Sequence, residues 1–255
     1  MKKFALTSLV AVFAASSAMA ANVSNPLYQP KAGHFYSETE LASHSEYTEN
    51  WGLGEKFGYG ITNQLAVEVA TTAHEEDSFD SYSWDDVSLG VRFRALDTRN
   101  WKADIYGRYN VEPVWGYKAP FMPKEYTQYL WTAGVRGGYV ASNWTLAGHF
   151  DFNYLGDESF NWGDDGLHVL RVGVDGQIML PESLNLVAGV EYTGITDDYD
   201  WVKNAGTWTG YVGVNYDIDD SMYVGAYLSG EAHHHTGDWE MADGFGFGVK
   251  FGIDF

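Results

Sequence analysis

The sequence predicts an all-β fold: a single membrane-spanning, antiparallel, up-and-down β-barrel of twelve strands. Three observations carry this. Apolar and polar residues alternate with period two over stretches of about ten residues. Short turn signals alternate with long polar stretches along the chain. Aromatic residues, 16% of the total, cap the apolar stripes at their ends.

Composition removes the competing classes. The chain has 255 residues, no cysteine, 15 basic against 35 acidic side chains and a formal charge of −20. Disulfide scaffolds and Cys-ligated metal sites lack their ligand. A nucleic-acid partner is excluded by the acid excess, which leaves no basic patch. An apolar content of 45% argues against disorder, and a mean hydropathy of −0.28 against a bundle of membrane helices. Residues 1–20 read as a cleaved secretory signal peptide: Lys2 and Lys3, an apolar run from Phe4 to Ala15, then Ala18-Met19-Ala20 as a small-x-small cleavage site. The barrel domain is then 21–255.

The strands follow in order. Trp101, Ala103 and Ile105 oppose Lys102, Asp104 and Tyr106. Trp144, Leu146, Gly148, Phe150, Phe152 and Tyr154 oppose Thr145, Ala147, His149, Asp151 and Asn153. Leu170, Val172, Val174 and Ile178 oppose Arg171, Gly173, Asp175 and Gln177. From Gly244 to Phe255 six apolar residues face six Gly, Lys or Asp. Short turns are expected at Thr62–Gln64, Asp97–Asn100, Ala141–Asn143, Pro181–Ser183 and Asp217–Asp220; long loops at 43–50, 75–85, 112–125, 156–165, 196–205 and 232–243. Five turns and six loops connect twelve strands, with short periplasmic turns, long acidic extracellular loops and both termini in the periplasm. Similar strand starts after the turns (Asn100-Trp101, Asn143-Trp144, Asn185-Leu186) mark one hairpin as the repeat. In lipid an open edge strands unpaired amides, so the ring must close. A secreted β-sandwich would also alternate, but without the long/short loop rhythm or the aromatic girdle. Glu55 breaks the pattern, since alternation puts it on the lipid face; a bulge or a position above the apolar band is expected there.

The terminal Phe255, preceded by Phe247-Gly248-Val249-Lys250-Phe251-Gly252-Ile253-Asp254, resembles the C-terminal signature of Gram-negative outer-membrane proteins. That resemblance implies residence in the outer membrane, contact with its lipid and lipopolysaccharide, and recognition of Phe255 by the barrel assembly machinery. The hairpin Phe57 to Leu65 looks like one common in small outer-membrane transporters, including those linked with aromatic-degradation operons. Twelve-stranded sugar-acid porins are similar in size, but their lumens are more basic, so that substrate class does not carry over.

Charge placement sets the functional expectation. The six loops carry nineteen acids against Lys118, Lys124 and Lys203. The inward faces are nearly balanced, because a charge facing lipid at mid-depth costs roughly 2–4 kcal/mol for Lys or Arg. The expected pore-lining residues are Lys56, Glu68, Arg92, Arg94, Lys102, Asp104, Arg108, Arg136, His149, Asp151, Arg171, Asp175 and Glu191. Twelve strands leave a narrow passage unless loops or the N-terminal segment fill it; inward glycines such as Gly58, Gly60, Gly173 and Gly248 are expected to widen it. His149 is expected to bond Arg171 or Asp151. A surface metal site at His233, His235 and Asp238 is conceivable, since His233 and His235 share a face; incidental metal affinity of a polar loop is the simpler reading. No Gly-x-Ser-x-Gly or His-Glu-x-x-His element occurs, so no enzymatic activity and no cofactor are expected. The function expected is a porin-like channel for passive diffusion of small hydrophilic solutes, with cation preference from the acidic rim. The alternative is a closed structural or adhesive barrel whose acidic, His-containing loops bind partners or divalent metal; a membrane-embedded hydrolase using His149 ranks below both.

Overall fold

The computed structural model describes residues 23–76, 81–110, 131–155, 167–196, 206–234 and 239–255. Strict alternation forces extended chain, and the strands are β1 (Phe35–His44), β2 (Tyr47–Gly60), β3 (Leu65–Glu76), β4 (Ser81–Asp97), β5 (Trp101–Asn110), β6 (Trp131–Val140), β7 (Trp144–Leu155), β8 (Leu167–Met179), β9 (Leu184–Ile195), β10 (Gly206–Asp219), β11 (Met222–His234), β12 (Trp239–Met241) and β13 (Gly246–Asp254). Each of the first eleven pairs antiparallel with the next, and β13 pairs with both β11 and β1. Twelve strands therefore form a closed ring, and β12 is a short extra strand on β11. Among the described residues no helix is long and apolar enough to cross a membrane.

Closure rests on the C-terminus. β1 and β13 run in register from Tyr36 opposite Asp254 to His44 opposite Gly246. Phe35 and Phe255 then exchange both backbone hydrogen bonds at 2.8 Å. The terminal residue thus completes the ladder that removes the last free edge.

The exterior is apolar where a soluble protein's would be polar. Val212, Ile105, Val249 and Leu228 are each more than half exposed. Two aromatic belts bound this band. At the short-turn end Phe35 contacts Tyr59 and Phe255, and Tyr139 lies between Trp101 and Trp144. At the opposite end Trp51 meets Phe247, Tyr109 meets Trp131 and Tyr192 meets Trp208.

Four of the five short turns fall where expected; the fifth, expected over Asp217–Asp220, is a tight turn at 220–221, because β10 runs on to Asp219, and the loops differ further. The first, expected over 43–50, is a two-residue turn at Ser45–Glu46, with a register shift at Ser43/His44. β3 and β4 extend into the second, leaving only 77–80 between them. In the sixth, β11 runs on to His234 and pairs with β12, so the hairpin continues past a break at Gly244, whose φ is +77°. Backbone pairing reaches further along the polar segments than their composition suggested, because ladder bonds do not require apolar side chains. The loops expected at 112–125, 156–165 and 196–205 fall almost wholly outside the described residues.

An apolar exterior that contacts lipid makes a specific prediction. Val212→Arg, midway between Trp208 and Tyr216 on β10, should destabilise the barrel by roughly 2–4 kcal/mol in denaturant titrations from lipid vesicles. A barrel whose outside faced water would be indifferent to the change.

Candidate functional site in the barrel lumen

Alternation directs one face of every strand inward, and the side chains there are almost all polar. Ten of the thirteen residues expected inside are buried: Lys56, Glu68, Arg92, Arg94, Asp104, Arg136, Asp151, Arg171, Asp175 and Glu191. Lys102, Arg108 and His149 are partly exposed on the same face. They form ion pairs across neighbouring strands. Arg94 Nε and Arg136 hold the two oxygens of Asp104, the latter at 2.7 Å. Arg92 Nη2 lies 2.7 Å from Glu68. Arg171 binds Asp151 and approaches Glu191 at 3.7 Å. His149 is held by Glu191 at 3.1 Å and Asp175 at 3.6 Å, not by Arg171 or Asp151 as expected. Lys102 pairs with Asp97 at the short-turn end, and Lys250 reaches Glu40 at 3.2 Å.

The signs are segregated. Among the described inward residues, β2–β6 carry Lys56, Arg92, Arg94, Lys102, Arg108 and Arg136 against Glu68, Asp104 and, at the short-turn end, Asp97. The rest of the wall carries Glu38, Glu40, Asp151, Asp175, Glu191, Asp217, Glu231 and Asp254 against Arg171 and Lys250. A field therefore runs across the lumen, from the basic to the acidic half.

The inward glycines do not widen the space. Several are beds for a neighbour's ring. A Cβ on Gly134 would strike Tyr106; on Gly189, Tyr211; on Gly248, Tyr227; on Gly252, Tyr223; on Gly173, His149. The tyrosine hydroxyls then donate to the acids: Tyr106 to Asp151, Tyr211 to Asp175 at 2.9 Å, Tyr36 and Tyr223 to Glu38 at 2.5 Å, and Tyr227 to Glu40. Ring–glycine pairing fills the wall and lets each acid keep a donor in a low-dielectric interior. Alternation places Tyr106 on the inward face, but nothing in the sequence singled out Tyr36, Tyr211, Tyr223 and Tyr227; their position beside inward acids and glycines was the available signal.

The N-terminal segment occupies the short-turn half of the lumen. Residues 23–30 are all buried. Arg94 Nη2 donates to Leu27 O and Arg136 Nη2 to Tyr28 O, both at 2.9 Å. Asn25 donates to Thr145 at 2.8 Å; Gln177 and Asn185 reach Ser24 at 3.2 and 3.4 Å. Leu27 packs on Val140 and Ala147, and Val23 and Tyr28 on Tyr36 and Tyr223. Tyr28 donates to Asp254, which also bonds His34. The segment leaves through a turn at Lys31–His34, with Gly33 at φ +83° and a bridge from Ala32 to Gly60. Side-chain hydrogen bonds, not a strand ladder, hold it in place. A cavity of about 50 Å³ remains beside it, between Ser24, Glu38, Tyr211, Tyr223 and Lys250. That is room for a few waters.

Of the expected metal ligands, His233 faces inward beside Glu231 (3.3 Å) and Thr207 (3.2 Å). His235 and Asp238 lie outside the described residues, among which no group of three ligands assembles. His234, on the opposite face, stacks on Trp239.

No protein-family model matches the sequence, and no curated protein is similar to it in sequence. Solved structures do match in fold. The KdgM porin superposes with a TM-score of 0.56 at 7% identity, over 86% of this chain and 99% of that one. The NanC porin gives 0.53 at 10%, over 87% and 98%. An outer-membrane channel from Pseudomonas putida F1 gives 0.50 at 11%, over 89% and 97%. The chain shares the closed β-barrel fold of these outer-membrane channels. Its exposed apolar band and double aromatic belt are what a membrane-spanning barrel demands.

The lumen of this barrel makes two predictions. Asp104→Ala leaves Arg94 and Arg136 facing each other without their shared acid, and should cost about 3–5 kcal/mol of stability, read by denaturant titration of the folded barrel. Gly60→Ala would put a methyl 2.0 Å from Lys31 O and 2.7 Å from Pro30 O, so it should drive the N-terminal segment out. With no native cysteine, a Ser24→Cys reporter should be shielded from a water-soluble maleimide in the parent and labelled rapidly when Gly60→Ala is added.

Proposed function

We propose that this protein is a narrow channel for small hydrophilic solutes, with a preference for cations, and that residues 23–30 keep its periplasmic end closed until they move. The observation that carries this reading is the segment itself: it fills a closed polar barrel, yet is bound by reversible hydrogen bonds to Arg94, Arg136, Asn185 and Gln177. Gln29, Arg92 Nε, Arg136 Nη1 and Gln177 Oε1 are buried with no protein partner. Leaving such groups unserved costs about 1–3 kcal/mol each, so water or a polar solute is their natural partner. Cation preference is supported by the acidic half of the wall and by the excess of acids in the loop segments. On this reading the thirteen charged residues expected inside line the path once the segment has moved. Residues 1–20 are its export signal, Phe255 its handle for the assembly machinery, and lipopolysaccharide its neighbour on the loop side.

The same filled lumen favours a second reading, a closed barrel that serves through its loops. Planar-bilayer recording separates the two. The mature chain should show small, intermittent conductance, and deletion of 23–30 should raise it severalfold, with a reversal potential in a KCl gradient on the potassium side. Absence of current from both proteins, once folded, would leave the closed barrel as the function.

A further inference from the structure

The N-terminal segment is seated in the lumen as a bound peptide is. Asn25 to Tyr28 form a tight turn. Tyr28 N–H donates to Asn25 O at 3.0 Å and Leu27 N–H to the Asn25 side chain at 2.9 Å; Pro26 stands second, where its fixed φ suits the turn. Leu27 is wholly buried against Val140 and Ala147, and the Tyr28 ring lies 5.1 Å from that of Tyr36. The wall holds this turn at both ends. Gln177 of β8 and Asn185 of β9 donate to Ser24, in the acidic half; Arg136 of β6 donates to Tyr28 O, in the basic half. The stretch 24–28 therefore points its N-terminal end at acids and its C-terminal end at guanidiniums. Neither end is charged, because the chain continues through both.

The seat offers more than the segment uses. Asp104 takes the Nε–Nη2 edge of the Arg136 guanidinium. On the other edge Nη2 serves Tyr28 O, but Nη1 is buried with no protein partner. A single carbonyl cannot fill a two-donor fork; a carboxylate can. The next residue, Gln29, is buried with both amide atoms unserved, a burden absent from a peptide that ends at position 28. At the other end, the cavity of about 50 Å³ begins at Ser24 and reaches Glu38, whose Oε2 accepts from Tyr36 and Tyr223. It has room for an ammonium group. Lys250, also on its wall, is drawn to Glu40.

We propose that this seat takes short peptides with free termini, about five residues long, and that residues 24–28 are its built-in stand-in. The α-carboxylate takes the Nη1–Nη2 edge of Arg136 and the α-ammonium the cavity beside Glu38, so the peptide's dipole lies along the field of the lumen. The assignment names a solute class for the channel reading and rests on it, since the segment must move to vacate the seat.

The test uses the folded mature chain and the synthetic pentapeptide Ser-Asn-Pro-Leu-Tyr, with free ends or with either or both ends blocked. The tethered segment competes at an effective concentration on the order of millimolar. Equilibrium dialysis is therefore run on the parent above that concentration, and on Gly60→Ala, whose seat should be empty. The free peptide should bind saturably, and amidating its C-terminus or acetylating its N-terminus should each weaken binding roughly tenfold. Glu38→Gln should erase the effect of acetylation and keep that of amidation. Equal affinity of the free and doubly blocked peptides, or no saturable binding to either chain, would overturn the proposal. Labelling of Ser24→Cys in the parent reports separately on the channel reading. A thiol still shielded at saturating peptide means that the segment does not move; preferential binding of the free peptide to Gly60→Ala upholds the seat even then.

Discussion

A chain that crosses lipid must satisfy every backbone amide within itself, and the ladder between β1 and β13 is where this protein does so last. Everything else depends on that seam. Until Phe35 and Phe255 exchange their hydrogen bonds, two edges face hydrocarbon, each amide at a cost of several kcal/mol. Closure at twelve strands then fixes a lumen too wide for wall side chains alone to fill. The chain meets that second problem with its own N-terminus. The two solutions touch: Asp254, one residue from the seam, accepts from Tyr28 and His34, at the start and end of the segment's exit.

Ion pairing in the lumen follows from the same geometry. A strand presents a side chain inward at every second position, so charges on neighbouring strands lie within reach of each other. Buried charges without partners are strongly destabilising, and the Arg94–Asp104–Arg136 group shows how the structure avoids this. One acid serves two guanidiniums, and each guanidinium spends its spare N–H on a carbonyl of the N-terminal segment. The residues that neutralise the wall are thus also those that grip the segment, and a displaced segment would leave those donors for passing water or solute.

How much of this was legible in the sequence depended on range. Period-two patterns such as Phe247, Val249, Phe251 and Ile253 report local geometry, and they placed strands, four of the five turns, belts and inward charges correctly. The twelve-stranded ring followed, because lipid permits few alternatives. Three features escaped. The polar stretch at 43–50 folds as a tight hairpin, since backbone pairing is blind to side-chain polarity. Inward glycines read as empty space, but whether a neighbour's ring covers Gly134 or Gly248 depends on cross-strand register. That the N-terminal segment fills the passage was one of the open alternatives, but 23–30 carries no period that would select it: Asn25, Pro26 and Gln29 look like a linker, and only the closed barrel supplies the polar walls that bury them.

Glu55 shows the same limit from the other side. Alternation places it on the lipid face, and neither the expected bulge nor a position above the apolar band is found: β2 pairs in unbroken register around it, between the belts. Natural barrels keep charges off that surface because the membrane offers no solvent for them. The carboxyl that is retained there, centred between the belts, is supplied with two hydroxyl donors from β1, Ser37 and Thr39. The exception obeys the same constraint as the regular pattern: a polar group that faces the apolar band must bring its hydrogen-bond partners with it.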